Sequence, residues 1–333
     1  MGCWNKPFSC PVRRRTTVEE GSGIVQTRVA MIRIALIVPL LAGLLGAQEP
    51  KEKPEAFTFL FWTDKELDPG KEAKLASTID AMHGMAGKAL PPALGGTADK
   101  PDFVASAGDS CGWPSHGAVT SWNKVVREML KLPTRAVAGN HDSGGTTPNE
   151  QFYDWLRKDP FVKAHASDNG LPAWTPPKAG SGIIPGVQYS FRHKGVVFLM
   201  PSPTYDHTGA KPGCSPIYPP DLEWLKKELA KYGPKEPKIV VNHFNAGSID
   251  NREELDAIYK ANTMLLHLCG HWEKVQHWKF GDTDWVMDAG HREKDATFSV
   301  VRVGRDSIGI AHWETDKAKW VDATIVKKIA ARW

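Results

Sequence analysis

The chain predicts an α/β fold on three observations. Its first half alternates apolar runs of strand length with segments of helical spacing, and several of those runs lead straight into Gly, Asp, Asn or His. Its last third is strand-rich. The alternation argues for a βαβ beginning and a buried, largely parallel sheet, because parallel strands need crossover helices that cover both faces.

Residues 57–62, Phe-Thr-Phe-Leu-Phe-Trp, form a continuous apolar strand, and helical spacing follows over 71–85. Strand is predicted over 102–107, helix over 118–131 and strand over 134–138. Pro172, Pro176, Pro177, Gly180, Gly182 and Pro185 mark a long loop. Residues 187–191 and 196–200 flank His193-Lys194-Gly195 and read as a hairpin. A helix over 221–232 sets Leu222, Leu225, Leu229 and Tyr232 on one face, with Lys226, Lys227 and Lys231 outside. Runs 238–241 and 264–268 are two more buried strands, and 275–314 turns at Gly281-Asp282, Gly290 and Gly304-Arg305.

With 41% hydrophobic and 24% charged residues, the 333-residue chain suits a globular protein and not a disordered or fibrous one. A signal peptide is expected from Met31: Arg33, an apolar run over 34–45, and Gly46-Ala47 at the exit, with cleavage near Ala47 and export as the consequence. A short membrane anchor is the competing reading of that run, although it is short for a span and no stable span is expected in the mature chain. Residues 1–30 then read as an upstream extension from a mis-assigned start, 48–56 as a charged, proline-containing tether, and 57–333 as the domain. Six of the 42 basic and two of the 38 acidic residues fall in 1–47, leaving 36 of each. The formal +4 therefore belongs to the leader, and nucleic-acid binding is not expected. Cys111, Cys214 and Cys269 remain, an odd number that rules out a disulfide scaffold.

Five polar segments follow apolar runs: Asp64-Lys65-Glu66, Gly108-Asp109, Gly139-Asn140-His141-Asp142, Asn242-His243 and Gly270-His271-Trp272-Glu273. In open α/β sheets, ligands gather at the carboxyl ends of strands, where rigid strands hold converging loops. Asp, Asn and His are the side chains that hold divalent metals, so a metal-centred site is expected. Each segment alone also reads as an ordinary turn or a structural histidine.

As a set, the segments resemble the calcineurin-like metallophosphoesterase superfamily, whose pattern runs Asp-x-His, Gly-Asp-x-x-Asp, Gly-Asn-His-Asp/Glu, His and Gly-His-x-His. The resemblance covers about residues 57 to 314. It implies a four-layer α/β/β/α sandwich with two mixed sheets, one or two divalent ions (Mn, Mg, Ca, Fe or Zn) at the carboxyl ends of the strands, and a small phosphoester substrate. It makes Asp109 the bridging ligand, with Asn140, His243 and His271 completing one site. Asp64 belongs to the other, where Glu66 and Glu273 stand at the two histidine positions. That exchange would give a hard, oxygen-only shell of Asp64, Glu66, Asp109 and Glu273, favouring Mg²⁺, Ca²⁺ or Mn²⁺ over Zn²⁺; an empty site, or His277 as substitute donor, are the alternatives. Gly112 stands where the second Asp of Gly-Asp-x-x-Asp belongs, so His141, the implied general acid, is expected to lean on Asp142 or another carboxylate.

The implied chemistry is in-line attack of a metal-activated water on phosphorus, with His141 protonating the departing oxygen. His116 and His207 are further phosphate contacts or else solvated loop histidines. Trp62, Trp113 and Trp272, three of 13 tryptophans, either wall a pocket or fill core. No P-loop or His-Glu-x-x-His motif is present. The rival to an enzyme is a weak or inactive phosphoesterase-like binding module, since three departures fall at the site.

Overall fold

Strand β1 (Phe57–Trp62) buries all six of its residues, as a run apolar on both faces must when layers cover each side of its sheet. The computed structural model describes residues 55–112, 115–143, 151–167, 170–171, 183–206, 219–290, 296–321 and 325–329, all within the unit Lys53–Trp333. The extension 1–30, the leader 31–47, most of the tether 48–56, loop residues 172–182, Trp113, His207 and Cys214 lie outside the described residues.

After β1, helix α1 (Ala76–His83) leads to β2 (Val104–Ser106), and α2 (His116–Lys124) leads to β3 (Thr134–Ala136). The Ser115 hydroxyl caps α2 by accepting from Ala118 N–H. Three short helices follow, α3 (Asn140–Ser143), α4 (Gln151–Lys158) and α5 (Pro160–His165). Next come β4 (Ile183–Ile184), the hairpin β5 (Gln188–His193) and β6 (Val196–Pro201), then β7 (Tyr205–Asp206). The hairpin turns at Lys194 and Gly195, both at positive φ, as a tight two-residue connection requires. Helix α6 (Pro219–Lys231), β8 (Lys238–Val241), α7 (Arg252–Lys260) and β9 (Met264–Cys269) come next. Strands β10 (Gln276–Phe280), β11 (Thr283–Met287), β12 (Thr297–Val303), β13 (Ser307–Glu314), β14 (Lys319–Trp320) and β15 (Ile325–Lys328) close the described chain.

The first sheet runs β14-β13-β12-β1-β2-β3, with β15 also on β13; the second runs β10-β11-β9-β8-β6-β5. The parallel sheet expected from the βαβ beginning is confined to β1-β2-β3, because β12 joins β1 antiparallel. In the second sheet β6, β8, β9 and β11 are parallel, and β5 and β10 are antiparallel edges. Both sheets are therefore mixed, as the resemblance implied.

Period-two alternation explains the double burial. Phe59 of β1 meets Phe198 of β6 edge-on at 5.4 Å between ring centroids, joining the two sheets. The alternate residue Trp62 packs on Trp122 of α2 at 5.8 Å. On the second sheet Val197, Leu199 and Val240 join a core with Leu222, Leu225 and Leu229 of α6 and Leu255 and Tyr259 of α7, whereas Phe198, Met200, Ile239 and Val241 face the core between the sheets. The order is thus helices, sheet, sheet, helices.

Candidate metal centre

Four side chains from four loops converge where β2, β3, β8 and β9 end. Asn140 Oδ1 lies 2.9 Å from His243 Nε2 and 2.9 Å from His271 Nδ1. The two ring nitrogens are 3.2 Å apart, and Asp109 Oδ2 lies 3.1 Å from His243 Nε2. The His243 Nδ1–H donates to the Ala107 carbonyl at 2.9 Å, which turns Nε2 towards the cluster as the ligand atom. Donors held at right angles around one ion at about 2.1 Å are about 3.0 Å apart. The spacing of these four atoms therefore fits a single divalent cation, and the mixed N/O donor set suits one.

Electrostatics couple the same groups. Burial pulls the His243 imidazole down, but the adjacent Asp109 carboxylate overrides it and lifts the group to about 9. Burial likewise pushes Asp109 up, and the His243 charge and hydrogen bond outweigh it, holding Asp109 at about 2. Asp64, buried beside Asp109, is pushed up to about 7 chiefly by desolvation.

The backbone at the site is strained. Asp64, Glu66, Asp109, His271 and Glu273 all adopt positive φ, between 42° and 81°, a region that disfavours side chains with a Cβ. Only three other described non-glycine residues do so, Lys131, Lys194 and Ala318. Close approach also demands a missing side chain at Gly139, where a Cβ would lie 2.2 Å from Asp109 Oδ1 and 2.8 Å from the His243 ring.

A second cluster shares Asp109. Glu66, Asp109 and His141 each place a ligand atom within 4.8 Å of the others, as Asp109, His243 and His271 do in the first. His141 Nδ1–H donates to the Gly112 carbonyl at 2.8 Å, its backbone N–H donates to Asp109 Oδ1 at 2.8 Å, and its Nε2 lies 3.7 Å from Glu66 Oε1. Burial lowers the His141 pKa, but Asp109, the Gly112 carbonyl and Glu66 together raise it above the usual imidazole value.

Two expectations need correcting, and several alternatives are resolved. His141 does not lean on Asp142, whose buried carboxylate instead accepts the N–H groups of Ser110, Cys111 and Gly139 and stitches the β2 and β3 loops together. The Gly112 carbonyl orients the His141 ring at Nδ1, and the carboxylate that its Nε2 faces is Glu66, at 3.7 Å. His277 is no substitute ligand, because its Nε2 bonds Asp284 Oδ1 at 3.0 Å within the β10–β11 hairpin. Trp62 is core. Cys111 and Cys269 are buried free thiols. His116 is exposed at the start of α2.

Two of the proposed ligands, Asp64 and Glu273, belong to neither cluster. Asp64 accepts the His271 N–H at 3.0 Å and the Thr63 hydroxyl at 2.7 Å, thereby tying the β1 loop to the β9 loop. Two supporting residues escaped the sequence reading. Thr63 gave no signal, its role resting on its hydroxyl, which faces Asp64 and the carbonyls of Ala107 and Gly108. Lys65 is buried between two acidic neighbours and donates to the carbonyls of Gly290 and Thr297 at 3.4 and 2.8 Å. A lysine between two acidic residues reads as surface text, so nothing local revealed it.

A two-sheet sandwich with a histidine, asparagine and carboxylate cluster at its strand ends defines a metallophosphoesterase-like architecture. Residues 70–274, well over half of the chain, match the calcineurin-like phosphoesterase family, and the chain belongs to it. The match takes in Asp109, Asn140, His141, His243, His271 and Glu273 and begins after Asp64 and Glu66. No curated protein matches the sequence. Among solved structures, GAP50, the anchor in the inner membrane complex of Plasmodium, aligns over 83% of this chain and 89% of its own with a TM-score of 0.52 and 16% identity, a likeness of fold alone. A putative 5'-nucleotidase from Staphylococcus aureus aligns over 83% of this chain and 54% of its own (TM-score 0.43, 13% identity). A predicted phosphoesterase from Streptococcus pneumoniae aligns over 83% and 99% (TM-score 0.39, 11% identity).

Proposed function

We propose that this chain is an exported, metal-dependent phosphoesterase that hydrolyses a small phosphate mono- or diester. One observation carries the reading: ligand atoms of Asp109, Asn140, His243 and His271 sit 2.9 to 3.2 Å from their neighbours, the spacing of one divalent ion's ligands. When bound there, the ion supplies Lewis acidity and lowers the pKa of a coordinated water.

The protein's own groups do the rest. Gly112 fixes His141 with its Nδ1–H inward, so Nε2 holds the proton handed to the departing oxygen. Glu66, 3.7 Å away, favours the protonated imidazole until that transfer. Asp109 orients the same residue through the His141 N–H while its other oxygen faces His243. Export rests on the composition of the leader from Met31 to Ala47, and the intact mass of the secreted protein tests it.

The test of the activity is metal content after purification, together with hydrolysis of an aryl phosphate across Mg²⁺, Mn²⁺ and Ca²⁺. We expect turnover strongest with Mn²⁺ or Mg²⁺; no turnover with any ion would favour a binding module. A specific observation keeps that second reading in play: Asp64 spends its carboxylate on the His271 N–H and the Thr63 hydroxyl, outside both clusters.

A further inference from the structure

Trp272 is the only large hydrophobic side chain exposed among the described residues, at 43%. It stands between His271 and Glu273, both in the left-handed region, and His271 contributes a nitrogen to the metal cluster. The six-membered edge of its indole lies against the backbone of Gly247, where a Cβ would meet Cη2 at 2.5 Å and Cζ2 at 2.8 Å. Gly247 sits in the turn Ala246–Ser248, capped by the Asn245 side chain, which accepts the Gly247 N–H at 2.9 Å. That turn follows His243 and Phe244, and Phe244 packs edge-on against His271 at 4.9 Å between centroids. The indole therefore bridges the two loops that carry the imidazole ligands, with one edge anchored and much of its surface open to water.

We propose that Trp272 is a stacking platform at the rim of the metal centre, selecting phosphoesters whose leaving group carries a planar ring. The inference rests on the phosphoesterase reading and names its substrate class. An anchored indole loses little freedom when a flat ring docks on it, and stacking rewards planar partners over flexible chains. A lipid surface or a protein partner needs a contiguous apolar patch of several hundred Å². A single exposed ring offers room for one ring.

The experiment compares phenyl phosphate with glycerol phosphate as substrates for the wild type, Trp272→Ala, Trp272→Phe and Gly247→Ala. Loss of a stacking partner predicts that Trp272→Ala lowers the phenyl-over-glycerol ratio of kcat/KM about tenfold, through KM and not kcat. Trp272→Phe keeps most of the ratio, because a flat ring remains. Gly247→Ala lowers it in the same direction, since the new methyl displaces the indole without removing it. A ratio unchanged in Trp272→Ala overturns the proposal. Should the wild type hydrolyse neither ester, the phosphoesterase reading falls, and calorimetry of phenyl phosphate against inorganic phosphate decides on Trp272. A preference for phenyl phosphate lost in Trp272→Ala supports the platform; equal binding, or none, overturns it.

Discussion

The carbonyl oxygen of Gly112 accepts the Nδ1–H of His141 at 2.8 Å, so a main-chain atom holds the candidate acid where the family pattern has an aspartate. The β1 loop leaves little room for a side chain there. A Cβ at position 112 would lie 2.9 Å from the Glu66 carbonyl and 3.1 Å from Asp68 Oδ1. The β1 loop that carries Glu66 occupies the space an aspartate would need.

Restoring the aspartate should therefore harm the protein. Gly112→Asp is expected to cost about 1–3 kcal/mol by overpacking and to lower kcat by shifting His141. Thermal unfolding and kinetics on an aryl phosphate check it; a variant as stable and more active would show that the loop yields freely.

Glu66 is expected to tune His141. Removing its charge in Glu66→Gln takes away one of the influences that raise the imidazole pKa. A general acid loses activity as pH rises through its pKa, so the alkaline limb of the pH–rate profile should move to lower pH. A limb that stays put, or moves up, would separate Glu66 from the acid.

Much of the fold was legible because its signals are local. The strands over 57–62 and 238–241 carry their own apolar runs and appear with those bounds. Helices α4, α5 and α7 were not foreseen, and neither was β12 beside β1, a pairing of residues such as Phe57 and Val303 that nothing in either segment encodes. The same division holds at the site. Asp109, Asn140, His243 and His271 were readable as residue types after strands. The Gly112 carbonyl was not, since main-chain acceptors carry no sequence signature, and left-handed backbone at Asp64, Glu66, Asp109, His271 and Glu273 leaves no mark when the residue is not glycine.

Metal preference should follow Glu66, the glutamate that shares a cluster with Asp109 and His141. Glu66→His puts a nitrogen donor there and is expected to move bound-metal content from Mn²⁺ or Mg²⁺ towards Zn²⁺ or Fe. Elemental analysis after growth in mixed metals reads the outcome. An unaltered preference would mean that Glu66 does not touch an ion.

Acid stability should depend on His267, on β9 and outside both clusters. Its ring stacks on Trp285 at 3.6 Å and accepts the Tyr259 hydroxyl at 3.0 Å, and burial drops its pKa to about 3. The folded ring is neutral, whereas the unfolded one titrates near the ordinary imidazole value of about 6.5. Its contribution is thus complete above pH 6.5 and is lost as pH falls towards 3, at up to about 1.4 kcal/mol per pH unit. Urea midpoints between pH 7 and 4 should fall less steeply in His267→Gln than in the wild type; parallel slopes would contradict the assignment.

The central claim is that side chains distant in sequence share one divalent cation. Anomalous diffraction from crystals soaked in Mn²⁺ tests it most directly. The expected result is a peak about 2.0–2.3 Å from Asp109 Oδ2, Asn140 Oδ1, His243 Nε2 and His271 Nδ1, lost in His243→Ala. Density for Mn²⁺ only elsewhere, or none at saturating metal, would contradict it.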